Sequence, residues 1–128
     1  MKPKVRSTQQ KKQNRAKADD GPIDYDFVRA HLGSLMDELM PDLLQVFLED
    51  GETRLQHLES SLHNNDWQQI GNIAHTLKGS SATLGMFTFS GLCLQLESAA
   101  RCQDWESIRP LAGQLGGEFH QIHAFLTA

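Results

Sequence analysis

His75 lies in the run Ile73-Ala74-His75-Thr76-Leu77-Lys78-Gly79-Ser80-Ser81-Ala82-Thr83-Leu84-Gly85, which places an imidazole one turn before a cation and a glycine. At about 100° per residue along a helix, Ile70, Ile73, Ala74, Leu77, Ser81 and Leu84 share one stripe, and His75 points roughly the opposite way. An imidazole there faces water rather than the interior. Its neighbours on the helix surface are Gly71, Asn72, Lys78 and Gly79, with Ala82 one turn further on. Each glycine costs roughly 0.8 to 1 kcal/mol against alanine inside a helix, so Gly71 and Gly79 are read as keeping bulk away from the ring. Lys78 adds a flexible ammonium that can follow negative charge without imposing a planar fork. An exposed nucleophile, a cleared surface and an adjacent cation suggest a site that carries a phosphoryl group.

Other constellations are weaker. His120 and His123 stand three apart and could both touch a metal, but no Asp, Glu or Cys stands at obvious companion spacing, so both are expected to face solvent. His31, His57 and His63 are isolated. Lys78-Gly79-Ser80-Ser81 is no phosphate loop, because the glycine-rich order is wrong and no strand precedes it. A serine nucleophile elbow is also missing.

The elements that must position His75 read as helices joined by short connections, with no convincing strand. Asp24 is a plausible N-cap for a short helix over residues 25–32 that stops at Gly33. A second short turn is expected over residues 35–40. Pro41 is acceptable in the first turn of a long helix reaching about Asn64, with an inward stripe of Leu44, Leu48, Gly51, Leu55, Leu58 and Leu62. Gly51 falls on that stripe, where it would let a neighbouring helix come close.

Asp66 caps the helix that carries His75, which runs to about Leu84 and stops at Gly85. A third long helix is expected from about Thr88 to Arg101, packing Phe89, Leu92, Cys93, Leu96 and Ala99 or Ala100 inward. Asp104 caps the last one, whose stripe is Trp105, Ile108, Ala112, Leu115, Phe119, Ile122 and Leu126. A kink or break is expected near Pro110, because an interior proline loses a hydrogen bond and clashes with the preceding turn. Four amphipathic helices with short loops make an all-α, up-and-down antiparallel four-helix bundle, here with one or two short N-terminal helices.

Charge marks a boundary within the 128 residues. Residues 1–20 hold seven Lys or Arg against Asp19 and Asp20, a surplus of +5, so the chain's net −4 leaves −9 for the remaining 108. Met1 and Val5 are the only bulky apolar residues of that segment, so it is expected to form a basic, disordered tail ahead of one domain over residues 21–128. Specific nucleic-acid binding is not expected, because nothing aromatic is interleaved to stack on bases. The length suits one domain with a real core. No run of eighteen apolar residues could span a membrane, and the charged N-terminus lacks the apolar segment of an ordinary secretory signal. Cys93 and Cys102 are read as reduced thiols of a cytoplasmic protein, Cys93 facing the core. The initiating Met and the tail suggest a free-standing protein, and the absence of a large apolar surface beyond the core stripes favours a monomer.

The segment His75-Thr76-Leu77-Lys78-Gly79-Ser80-Ser81, followed by Leu84-Gly85, resembles the signature of histidine-containing phosphotransfer (HPt) domains, the shuttle modules of multistep two-component phosphorelays. Ile23-Asp24, residues 44–50 and Cys93-Leu94-Gln95-Leu96-Glu97-Ser98-Ala99-Ala100 extend the resemblance over most of residues 21–128. It implies that His75 accepts a phosphoryl group from the phospho-aspartate of a receiver domain in a hybrid sensor kinase and passes it to the receiver domain of a response regulator. The chain would then be a phosphocarrier rather than an enzyme, with no cofactor of its own and magnesium in the partner receiver domain.

Phosphoryl transfer asks mainly for positioning and charge neutralisation, which a protruding imidazole on a rigid helix can meet. An ordinary imidazole titrates near about 6.5, so no activating base is needed at neutral pH. By the resemblance, Glu97 faces the histidine and orients its ring, Lys78 meets the phosphate's charge, and Gly79 gives clearance for docking. Ser80 and Ser81 are expected to bond backbone carbonyls and keep helices close. Apolar residues of the N-terminal helices are expected to join the docking surface. The alternative is a helical adaptor that binds receiver domains without accepting phosphate. A histidine kinase would need a nucleotide site that this chain does not offer.

Overall fold

The computed structural model describes residues 21–128, and the basic tail expected at residues 1–20 lies outside them. A short helix α1 (Tyr25–Leu32) and a 3-10 turn (Gly33–Leu35) lead into four long helices: α2 (Met36–His63), α3 (Trp67–Thr83), α4 (Phe87–Arg101) and α5 (Trp105–Thr127). Each long helix packs on the next, and α5 returns to α2, closing an up-and-down four-helix bundle. No helix among the described residues is long and apolar enough to cross a membrane.

Three helix starts, those of α1, α3 and α5, are set where the sequence places its acidic caps. Asp24 accepts from Phe27 N at 3.1 Å, Asp66 from Gln69 N at 3.1 Å and Asp104 from Ser107 N at 3.3 Å. Each carboxylate satisfies a backbone donor that the first turn leaves without a partner. Gly33 ends α1, and Gly85 follows α3 with φ of +72°, a left-handed conformation that glycine adopts at little cost. Through that turn Asp24 N donates to Gly85 O at 2.9 Å, which ties the N-terminal segment to the end of α3.

Two proline expectations change. Pro41 does not open the long helix: α2 begins at Met36, so residues 36–40 are its first turn rather than a separate one. Pro110 does not break α5, which runs unbroken from Trp105. Both rings sit in the second turn of their helices and are exposed. So close to a helix start, the ring removes one backbone bond and its fixed φ still suits the helix, while the apolar residues on either side hold the continuation.

The inward stripe of α2 is also displaced. Met36, Met40, Phe47, Gly51, Leu58 and Ser61 are buried, while Leu44, Leu48, Leu55 and Leu62 are half-buried and flank them. The other helices bury most of the residues expected of them: Ile70, Ile73, Ala74 and Leu77 on α3, Phe89, Cys93, Leu96, Ala99 and Ala100 on α4, and Ile108, Ala112, Leu115, Phe119 and Ile122 on α5. Leu92, Trp105 and Leu126, expected on the same stripes, are only half-buried at the edge of the core. Phe47, Phe89 and Phe119 meet in the core, with ring centroids 5.6 Å apart for Phe47 and Phe89 and 5.9 Å for Phe47 and Phe119. Helix α3 is thus anchored along one face by packing, which leaves its other face free to hold a rigid site.

Candidate functional site

His75 projects from the middle of α3, with 63% of its side chain exposed. Ala74 and Leu77, beside it on the opposite stripe, are fully buried, so the backbone that carries the ring is fixed by the core. Ser81 Oγ donates to Leu77 O at 2.6 Å and Ser80 Oγ to the same carbonyl at 3.3 Å, consistent with the backbone-bonding role expected of both serines.

Across the helix interface, Glu97 of α4 reaches the ring. His75 Nδ1 lies 2.9 Å from Glu97 Oε2, Lys78 Nζ donates to Glu97 Oε1 at 2.8 Å, and Arg101 donates to Oε2 at 3.0 Å. Only 11% of the Glu97 side chain is exposed. The bonded Lys78 ammonium, joined by Arg101 and His75, holds the carboxyl at about 2 against an ordinary 4.5, despite the upward push of burial. Glu97 is therefore a carboxylate at neutral pH. A carboxylate only accepts, so the Nδ1 facing it carries the proton, and the neutral ring keeps its lone pair on Nε2.

Gly79, one turn after His75, is exposed, and a Cβ built there would meet nothing within 4 Å. Gly71 is different: it is buried, and a Cβ there would come 3.6 Å from the Cβ of Ala100 and 3.9 Å from two atoms of Arg101. Of the two glycines read as clearing space around His75, only Gly79 faces open space. Gly71 belongs to the packing of α3 on α4.

The geometry thus brings His75, Lys78 and Glu97 together and leaves Gly79 open beside them. Arg101 completes the cluster and escaped the sequence reading. Its spacing of four from Glu97 on one helix was the available signal, since such pairs meet on a helix surface. Beneath the cluster, burial pushes the Cys93 thiol up to about 12, against the opposing pull of Lys78, and leaves it a neutral core group. His120 and His123 lie elsewhere, exposed in a groove between α2 and α5 with Glu52 and Glu59. Among the described residues, no three His, Cys, Asp or Glu side chains converge as a metal site.

An exposed imidazole with one nitrogen anchored and the other bearing a lone pair can accept an electrophilic group from outside. Comparison with known proteins gives the same direction. A family model described as the Hpt domain matches residues 42–125. Among solved structures, the chain is similar to the crystal structure of histidine-containing phosphotransfer protein B (HptB) from Pseudomonas aeruginosa PAO1, at 32% identity and a TM-score of 0.73, over 80% of this chain and 89% of that one. Comparison with curated proteins gave no match.

Proposed function

This chain belongs to the Hpt domain family, whose members carry phosphoryl groups in phosphorelays, and from that premise we propose that His75 is its phosphoryl acceptor. The donor is the phospho-aspartate of a receiver domain in a hybrid sensor kinase, and the group passes on to the receiver domain of a response regulator. The observation that carries this reading is the Nδ1 contact with Glu97, because it leaves Nε2 as the nucleophile on an exposed ring.

In the first step the Nε2 lone pair forms a bond to phosphorus as the bond from phosphorus to the donor's aspartate oxygen breaks, and the aspartate leaves as a carboxylate. The ring retains its Nδ1 proton and becomes cationic, and Glu97 faces that charge. The second step is the reverse, with a carboxylate of the next receiver domain as nucleophile. Lys78 is assigned to the phosphoryl oxygens, its flexible arm allowing it to turn from Glu97 toward the incoming group. The receiver domain is expected to supply the magnesium, so this chain acts as a phosphocarrier and needs no cofactor of its own. The reading places it in the cytoplasm as a monomer.

Docking needs bare surface and some apolar area. Gly79 supplies the first. For the second, Leu35, Leu39, Leu43 and Val46 remain exposed at helical spacing around the start of α2, Val46 by 60%.

The test is transfer itself. Incubation with a phosphorylated receiver domain and magnesium is expected to leave acid-labile, base-stable label on the protein and none on His75→Gln. Label that persists on the variant would overturn the assignment, and a parent protein that binds the receiver domain without becoming labelled would point to the adaptor instead.

A further inference from the structure

Glu97 has two oxygens and three nitrogen partners, divided unequally. Oε1 accepts from Lys78 alone at 2.8 Å, whereas Oε2 faces His75 Nδ1 at 2.9 Å and accepts from Arg101 at 3.0 Å. Arg101 is the last residue of α4, one turn beyond Glu97. Its arm runs beside α3 over Gly71, one turn before His75: the Cγ and Cζ atoms each lie 3.9 Å from where a Cβ of Gly71 would be. With about half of its side chain exposed, at 53%, Arg101 adds little to stability through this ion pair. Its consequence is geometric.

The last torsion of a glutamate is broad and roughly two-fold, so the carboxylate is free to turn unless its partners oppose one another. Lys78, a compact charge on a flexible arm, would draw both oxygens toward itself. A planar guanidinium bonded to Oε2 holds that oxygen in place. We propose that Arg101 is a positioning residue for His75: by fixing Oε2 opposite Lys78, it keeps the imidazole proton on Nδ1 and the lone pair on Nε2. Without it, the carboxylate swings toward Lys78, Nδ1 loses its acceptor, and the ring gains access to the tautomer whose proton blocks Nε2.

The consequence for transfer rests on the acceptor role of His75, but the tautomer can be read without any transfer. Long-range proton–nitrogen NMR correlations on the full chain, at a pH where the ring is neutral, are expected to show Nδ1–H in the parent and a growing Nε2–H population in Arg101→Gln. Phosphoryl transfer to Arg101→Gln is expected to slow by about tenfold, as for other orienting partners one step removed from the reacting group. Arg101→Lys, which keeps the charge but not the fork, is expected to recover only part of both effects. Because Arg101 acts through Glu97, adding Arg101→Gln to Glu97→Gln should change neither readout further. An unchanged tautomer in Arg101→Gln overturns the proposal, and so does a slower transfer at unchanged tautomer, which would make Arg101 a contact of the phosphoryl group or its donor. Failure of the parent to accept phosphate would count against His75 as acceptor and leave the tautomer result to decide on Arg101.

Discussion

Gly51 of α2 lies directly against the ring of Phe119 on α5: a Cβ at position 51 would stand 2.5 Å from Phe119 Cε1 and 3.0 Å from Cζ. The ring cannot simply withdraw, because Phe47 and Phe89 bound it with centroids at 5.9 and 6.2 Å. Alanine at position 51 would gain roughly 0.8 to 1 kcal/mol of helix propensity, against an overpacking cost of about 1 to 3 kcal/mol. Gly51→Ala is therefore expected to lower the urea midpoint slightly and Gly51→Leu to lower it much further. A midpoint that rises with side-chain size at this position would contradict the packing described.

Gly51 was legible in the sequence, because it interrupts an apolar stripe where only a close neighbour explains a missing side chain. The caps Asp24, Asp66 and Asp104 were legible for a similarly local reason, each standing just before an amphipathic run. His75 followed from the one stripe of α3 that must be buried. What failed depended on distant neighbours. Gly71 lies beside His75 on the helix surface, yet α4 leans over that flank and covers it, which no projection of a single helix can reveal. Met36 and Met40 belong to α2 although Pro41 follows them, because packing carries the helix through a proline that local preference alone would place at its start. Arg101 is not legible for a related reason: an i,i+4 pair with Glu97 is ordinary on a helix surface, and only the packing of α3 on α4 joins that pair to His75 and Lys78.

Acid should expose the Glu97 network as a stability effect. Its carboxyl titrates at about 2 in the folded chain against an ordinary 4.5. A lowered folded value means that the anion stabilises the fold above the unfolded value and that this contribution fades as pH falls through the folded one. The stability difference between the parent and Glu97→Gln is thus expected to be constant above about 4.5 and to shrink as pH falls toward about 2. Chemical denaturation of both proteins over that range checks it. A difference that grows on acidification would mean that Glu97 is not held as an anion.

The two thiols should separate by reactivity. Cys93 is buried and its thiol is pushed up to about 12 by burial, whereas Cys102 is exposed at the end of α4. Since the thiolate is the reacting form and access is required as well, iodoacetamide at neutral pH is expected to label Cys102 alone in the folded protein, and both residues in urea. Peptide mass spectrometry distinguishes the sites. Early modification of Cys93 would place it nearer the surface than the core described here.

Gly79 offers the sharpest separation of stability from function, because the two responses should run in opposite directions. A Cβ there meets nothing within 4 Å, so alanine gains helix propensity with no clash, and Gly79→Ala is expected to stabilise the chain by up to about 1 kcal/mol. Gly79→Trp should also leave the bundle folded, since its indole extends into solvent. If the receiver domain approaches His75 across this bare turn, that indole stands in its path. Displacing reacting atoms by about 1 Å can slow a positioned reaction by about a hundredfold, so transfer to Gly79→Trp is expected to fall by at least tenfold or so while its melting temperature is retained. Parallel thermal melts and transfer time courses test both halves. A tryptophan variant that receives phosphate at the parental rate would show that the donor approaches from another side of His75.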